Sequence, residues 1–87
     1  MEIEFNPAKN QANIAKHGVD MAQAEEFEFE TAIIGIDNRK DYAETRYRAI
    51  GYITGRLHVL IFTLKGSVLR VISLRKANRR EQQRYAQ

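Results

Sequence analysis

Hydrophobic positions change their period once along this chain, from helical spacing in the first third to strand-like alternation in the rest. Residues 1–5 alternate apolar and acidic side chains, which predicts a short first strand. Asn6-Pro7 then supplies an N-cap followed by proline at the first helical position. Ala8, Ala12 and Ala15 share one face of the helix that follows. Lys16 and His17 suit its negative C-terminal end, and Gly18 suits the left-handed position just past it. A second helix is expected directly afterwards. Asp20 and Gln23 have capping-box spacing, Val19 can staple onto Ala24, and Ala24 and Phe27 line one face until the helix fades near Phe29.

The remainder reads as strands joined by tight turns. Residues 31–36 are rich enough in β-branched side chains to form a strand, and residues 37–41 make a polar turn. A meander follows over residues 46–53, 56–64 and 67–74, with Thr54-Gly55 and Lys65-Gly66 as two-residue turns that force antiparallel neighbours. The last two strands are apolar on both alternating faces, so both faces should be covered, one by the early helices. The polar, helix-prone residues 76–87 could cover the other or swing out to a partner. The expected architecture is α+β. Two N-terminal helices pack on an antiparallel sheet of about four strands plus the short first strand, with a C-terminal helix, all in one domain over residues 1–87.

Charge sharpens this picture. Of 87 residues, 29% are charged and the net charge is +3, but the distribution is uneven. Residues 65–87 hold seven Lys or Arg against the single acid Glu81, whereas residues 1–64 are net acidic. A polyanion, nucleic acid first, would therefore meet the C-terminal quarter. The chain has no Cys, which removes disulfides, thiolate metal sites and thiol catalysis. The acidic opening is unlike a signal peptide and no apolar run is long enough for a membrane helix, so a cytoplasmic protein is expected.

Four ordered blocks resemble the BrnT family of toxins. Lys9, Asn13 and Lys16-His17-Gly18-Val19 resemble its K…N..KHG stretch, and Tyr42, Glu44 and Arg46 its Y.E.R segment. Gly51, Gly55-Arg56-Leu57, Val59 and Thr63 resemble its central hairpin. Arg70-Val71-Ile72-Ser73, Arg75-Lys76-Ala77, Arg80, Glu81 and Tyr85 resemble its ending. Phe5-Asn6, Phe29-Glu30, His58 and Leu74 depart from the pattern, and none of these departures removes a basic motif residue. The resemblance implies a RelE-like fold and metal-independent RNA cleavage that blocks translation. It also implies a neighbouring ribbon-helix-helix antitoxin that dimerises, the complex binding its own operator DNA.

Metal-free RNA cleavage needs cations for the charge developing on the phosphoryl oxygens, together with a proton acceptor and a donor. Arginine suits the first role because its planar fork pairs with phosphate. His17, Arg46, Arg75 and Lys76 are the candidate catalytic residues, and Arg48, Arg70, Arg79 and Arg80 the candidate RNA contacts. Alternation puts Arg75 on the face of Ser73 and Val71, and Arg46 with Arg48, while the register between the two pairs stays open. His17 has two readings, a helix cap and an acid–base group, and its motif favours the second. Arg84 reads as a solvated helix residue, His58 as structural, and Tyr85 as a base-stacking group or an anchor for the last helix. Glu44 and Glu81 are possible bases or partners of nearby arginines. No phosphate-binding Gly loop or metal-ligand motif is present, so no cofactor or metal is expected. The competing reading is a non-catalytic subunit that binds nucleic acid or the antitoxin.

Overall fold

The computed structural model describes residues 2–87, so Met1 of the expected first strand lies outside the described residues. The chain is α+β. Its elements are β1 (Glu2–Glu4), α1 (Pro7–His17), β2 (Ile33–Ile36), β3 (Tyr47–Ile53), β4 (Arg56–Lys65), β5 (Val68–Lys76) and α2 (Arg79–Tyr85). The strands form one five-stranded sheet in the order β1-β5-β4-β3-β2. β2 to β5 are antiparallel neighbours, whereas β1 adds to β5 in parallel. The sheet is therefore mixed.

The Thr54-Gly55 turn forms as its residues dictate, whereas the second falls one residue later than the expected Lys65-Gly66, at Gly66-Ser67 between the paired Lys65 and Val68. Thr54 and Gly55 take φ of 46° and 77°, the consecutive positive values that a two-residue hairpin of the primed type requires. Asn6 caps α1 by accepting from the backbone N–H groups of Ala8 and Lys9, and Gly18 closes the helix at φ 71°. The expected second α-helix is instead a pair of 3₁₀ turns, Met21–Glu26 and Phe29–Thr31. The capping box of Asp20 and Gln23 is present, but Phe27 breaks away into extended backbone after six residues. A 3₁₀ segment this short still seats Met21, Ala24 and Phe27 in the core.

Two apolar layers flank the sheet. On the first face Val19, Met21, Ala24 and Phe27 pack against Ala49, Ile53, Leu60, Phe62, Leu69, Val71 and Leu74. On the second, Ile50, Leu57, Val59 and Ile61 are covered by Ala77 and Tyr85, so the C-terminal segment does lie back on the sheet. Gly51 faces the first layer where a Cβ would stand 2.7 Å from the Phe27 ring, so only glycine lets that ring lie on β3.

A register shift opposite Ile61 and Phe62 leaves Ile72 as an extra residue in β5. Val71 and Leu74 consequently share the first layer, while Ile72 packs into the second. This corrects the expected alternation: Arg75 stays with Ser73 but not with Val71.

The face that α1 buries is not the one its alanines share. Ala8, Ala12 and Ala15 are exposed, and the buried residues of the helix are Asn10 and Asn13. Asn10 accepts from the Met21 N–H at 2.8 Å and donates to Asp20 at 2.9 Å. Asn13 donates to the carbonyls of Val19 (2.8 Å) and Leu74 (2.7 Å) and accepts from the Leu74 N–H at 3.3 Å. β1 pairs with β5 only as far as Arg70, and the Asn13 amide takes over the strand edge beyond it. Replacing Asn13 with Ala strands three buried backbone groups and should cost about 2–3 kcal/mol in urea unfolding. Ala12→Ser, on the exposed face of the same helix, should stay within about 0.5 kcal/mol of the parent.

Candidate nucleic-acid interface

Asn13 fixes the end of α1 against β5, and its grip decides what stands beside it. Lys9, Lys16 and His17 project from the helix toward Ile72 and Ser73 of the bulged strand, with Ala12, Asn13 and Met21 between them. Together they line an open cleft of about 250 Å³. Both lysines are exposed and His17 is half-buried. Partial burial lowers the His17 pKa first, and the positive charges of Lys16 and Arg75 lower it further. The imidazole is therefore largely neutral at neutral pH, in a cleft whose other titratable side chains are cationic. A neutral imidazole can accept a proton, and the surrounding charges favour an arriving phosphate.

Arg75 leads from this cleft to a second cluster, on the α2 side of the sheet. Its guanidinium makes a two-pronged pair with Glu81, at 2.8 and 2.7 Å. Arg48 reaches the same carboxylate at 2.6 Å. Strand pairing explains the meeting, because Arg48 stands opposite Ile61 and Ile61 opposite Ser73, two residues before Arg75. Glu81 also closes the capping box of α2, accepting from the Asn78 N–H at 2.8 Å. Hydrogen bonding from Arg75, outweighing the opposing effect of burial, helps to bring the Glu81 pKa down to about 2. One carboxylate thus serves two arginines and starts a helix.

The remaining sequence-derived candidates are dispersed. Lys76 ends β5 rather than opening the helix, and Arg79 and Arg80 stand exposed on the first turn of α2. Arg70 pairs with Glu4 at 3.2 Å on the β1 edge. Arg46 lies just before β3, stacked 4.0 Å from the centre of the Tyr42 ring. Tyr47 pairs with Phe62, whereas Arg75 pairs with Val59. Arg46 is thus about four positions along β4 from Arg75, or roughly 13 Å at the usual strand rise. The structure therefore joins Arg48 and Arg75 through Glu81 and leaves Arg75 close enough to His17 for its charge to act there, whereas Arg46 and Arg70 stand apart from both groups. His58 is buried with Nδ1 2.8 Å from the Arg56 carbonyl, a structural placement. Tyr85 anchors α2 by donating to the Thr31 carbonyl at 2.7 Å.

Three contributors escaped sequence reasoning. Lys9 was visible only as a motif residue, and Lys16 as a motif and helix-end residue, although their spacing of seven puts them on one helix face with His17 close by. Arg39 stands close enough to Arg75 for its charge to act there, and nothing in the local sequence brings that turn to β5.

A small α+β domain with a basic cleft around one histidine has the equipment of a protein that handles a polyanion. The chain matches the family described as "Ribonuclease toxin, BrnT, of type II toxin-antitoxin system" over residues 5–81, and it belongs to that family. It is thus a ribonuclease toxin by family, with an antitoxin implied as partner. Among curated proteins, none matches the chain.

The Glu81 cluster has a pH signature. A carboxyl held at about 2 in the folded protein, against an ordinary 4.5, stabilises the fold fully above pH ~4.5. That contribution is lost as pH falls from there through about 2. Solvent reaches both arginines, which trims it to roughly 1–2 kcal/mol. Glu81→Gln should lower stability by about that amount at pH 7, and its deficit should shrink toward pH 2 in pH-dependent urea titrations.

Proposed function

We propose that the cleft between α1 and the bulge of β5 cleaves RNA without a metal ion, through attack of the 2′-hydroxyl on the adjacent phosphate. The observation that carries this reading is the cleft that places the His17 imidazole with Lys9 and Lys16 against Ile72 and Ser73, with Arg75 close enough for its charge to lower the His17 pKa. In this scheme His17 takes the 2′-hydroxyl proton. The 2′-oxygen bonds to phosphorus, the bond to the 5′-oxygen breaks, and an ammonium of the cleft (Lys9 or Lys16) protonates the departing oxygen. The products are a 2′,3′-cyclic phosphate and a 5′-hydroxyl. Lys9, Lys16 and Arg75 supply positive field where the phosphoryl oxygens gain charge. Arg75 acts by field rather than as a free fork, because Glu81 holds both of its terminal nitrogens.

Lys76, Arg79 and Arg80 extend the positive surface from Arg75 and would carry the flanking phosphates. Arg48 shares the Glu81 carboxylate and supports Arg75. Arg46 and Arg70 would touch RNA only outside the reacting phosphate.

Consistent with the family, we read the fold as RelE-like and the consequence of cleavage as a block of translation in the cytoplasm. We assign the antitoxin to the ribbon-helix-helix class, dimerising and carrying the complex to its operator DNA.

The test is incubation of the purified chain with RNA and analysis of the ends. Cyclic-phosphate ends are expected, with His17→Ala slower by about 10²–10⁴. Activity should rise with pH through a midpoint below 6.5, where the depressed imidazole loses its proton, and then level off. Lys16→Ala removes a charge that depresses this pKa, so its rising limb should move to higher pH. Salt-sensitive binding that leaves the RNA intact would replace the enzyme with a binding subunit.

A further inference from the structure

The two edges of the sheet are finished differently. At one edge β1 carries the exposed acids Glu2 and Glu4, and the Asn13 amide occupies the β5 edge beyond it. At the other edge β2 reads Ile-Ile-Gly-Ile, with all four residues exposed and no charge among them. Ile33, Ile34 and Ile36 expose 53%, 47% and 65% of their surface. Charged side chains or covering segments are how sheet edges are protected from pairing, and among the described residues no strand flanks β2 on its outer side. A bare isoleucine edge is a template for another strand.

The surface beside this edge identifies what would pair with it. Between β2 and α2 runs a groove of about 250 Å³, floored by Ile50 and bordered by Arg48, Arg84 and Tyr85. Gly35 leaves it open next to Arg48, its Cα partner on β3. Arg48 and Arg75 share the single Glu81, and Arg84 stands on the rim. Among the described residues the groove is lined by two cations, Arg48 and Arg84, and by no carboxylate, and the Glu81 that pairs with Arg48 is shared with Arg75, so this wall carries net positive charge. A second copy of this chain would bring the same cations against each other. RNA would meet isoleucines that offer its phosphates nothing. An extended protein segment with apolar and acidic side chains satisfies the edge, the groove and the charge together.

We propose that β2 is the anchoring edge for the antitoxin, which adds an acidic, apolar strand antiparallel or parallel to Ile33–Ile36 and lays side chains into the groove toward Arg84. This rests on the family's implied antitoxin and not on the cleavage chemistry. β2 is three strand spacings from β5, roughly 14 Å. Filling the edge therefore leaves the His17 cleft open, and anchoring is separate from occlusion of that cleft.

The experiment uses the full chain co-purified with the antitoxin encoded beside it, and the free chain for comparison. Amide hydrogen exchange should slow at residues 33–36 in the complex. Ile36→Glu, at the most exposed of the three positions, and Arg84→Glu should each raise the Kd about tenfold or more, the size expected when an anchor or a charge partner is lost. Ile36→Lys should weaken binding less than Ile36→Glu, since the partner is acidic. Circular dichroism and RNA cleavage by the free variants should match the parent, so a failure of the catalytic reading appears in the free chain without touching this one. Parent-like Kd in both glutamate variants overturns the proposal. So does protection confined to the His17 cleft, or protection of residues 33–36 by dimerisation of the free chain.

Discussion

The amide of Asn13 is the interaction on which the candidate site depends. Helix α1 buries no apolar side chain, so the hydrophobic effect alone gives its orientation little guidance. Two asparagines supply the guidance instead. Asn10 holds the helix to the 3₁₀ turn at Asp20 and Met21, and Asn13 completes the edge of β5 at Leu74. Hydrogen bonds are directional where apolar packing is not, and buried ones are costly to leave unmade. The helix is thereby fixed in rotation as well as in place. His17 stands one turn beyond Asn13, and its position beside Ser73 and near Arg75 follows from that fixed rotation.

Local chemistry was legible in the sequence where it closed on itself. The Asn6-Pro7 start and Gly18 stop of α1, the Asp20–Gln23 box and the Thr54-Gly55 turn all form between residues at most a few positions apart. The meander and its double-sided burial followed from turn length and apolar content. Failures arose where the answer lay across the chain. The shared alanine face of α1 did not reveal which side of the helix is buried, because Leu74, sixty-one residues away from Asn13, offers the amide its partners. The bulge at Ile72 carries no signature of its own and became visible only against β4. The parallel placement of β1 is likewise a property of the finished sheet. In the site, the basic character of residues 65–87 was legible, whereas the capture of Arg75 and Arg48 by Glu81 needed the strand register.

That capture changes what the arginines can do. A guanidinium with both terminal nitrogens on a carboxylate is not waiting for phosphate, but its charge is only partly offset when two arginines share one acid. Arg75 consequently acts in two directions. Toward α2 it holds the first turn of the helix through Glu81, and toward α1 its charge lowers the His17 pKa. The bulge at Ile72 makes both possible by keeping Ser73 and Arg75 on the α2 face while Leu74 turns to Asn13. A regular strand would have rotated one of these contacts to the wrong side.

The contrast between the sheet edges then has a physical sense. An edge strand exposed on both faces, with three isoleucines and no charge, is a standing liability for aggregation unless something covers it. The opposite edge shows that this fold can guard itself, with glutamates on β1 and an asparagine amide standing in for a further strand. Leaving β2 bare is therefore a difference within one sheet rather than a general property of a small domain. A toxin that is held by a partner can keep such an edge, because the bound state protects it. The same arrangement leaves the basic cleft on the far side of the sheet free to keep its own geometry whether or not the edge is filled.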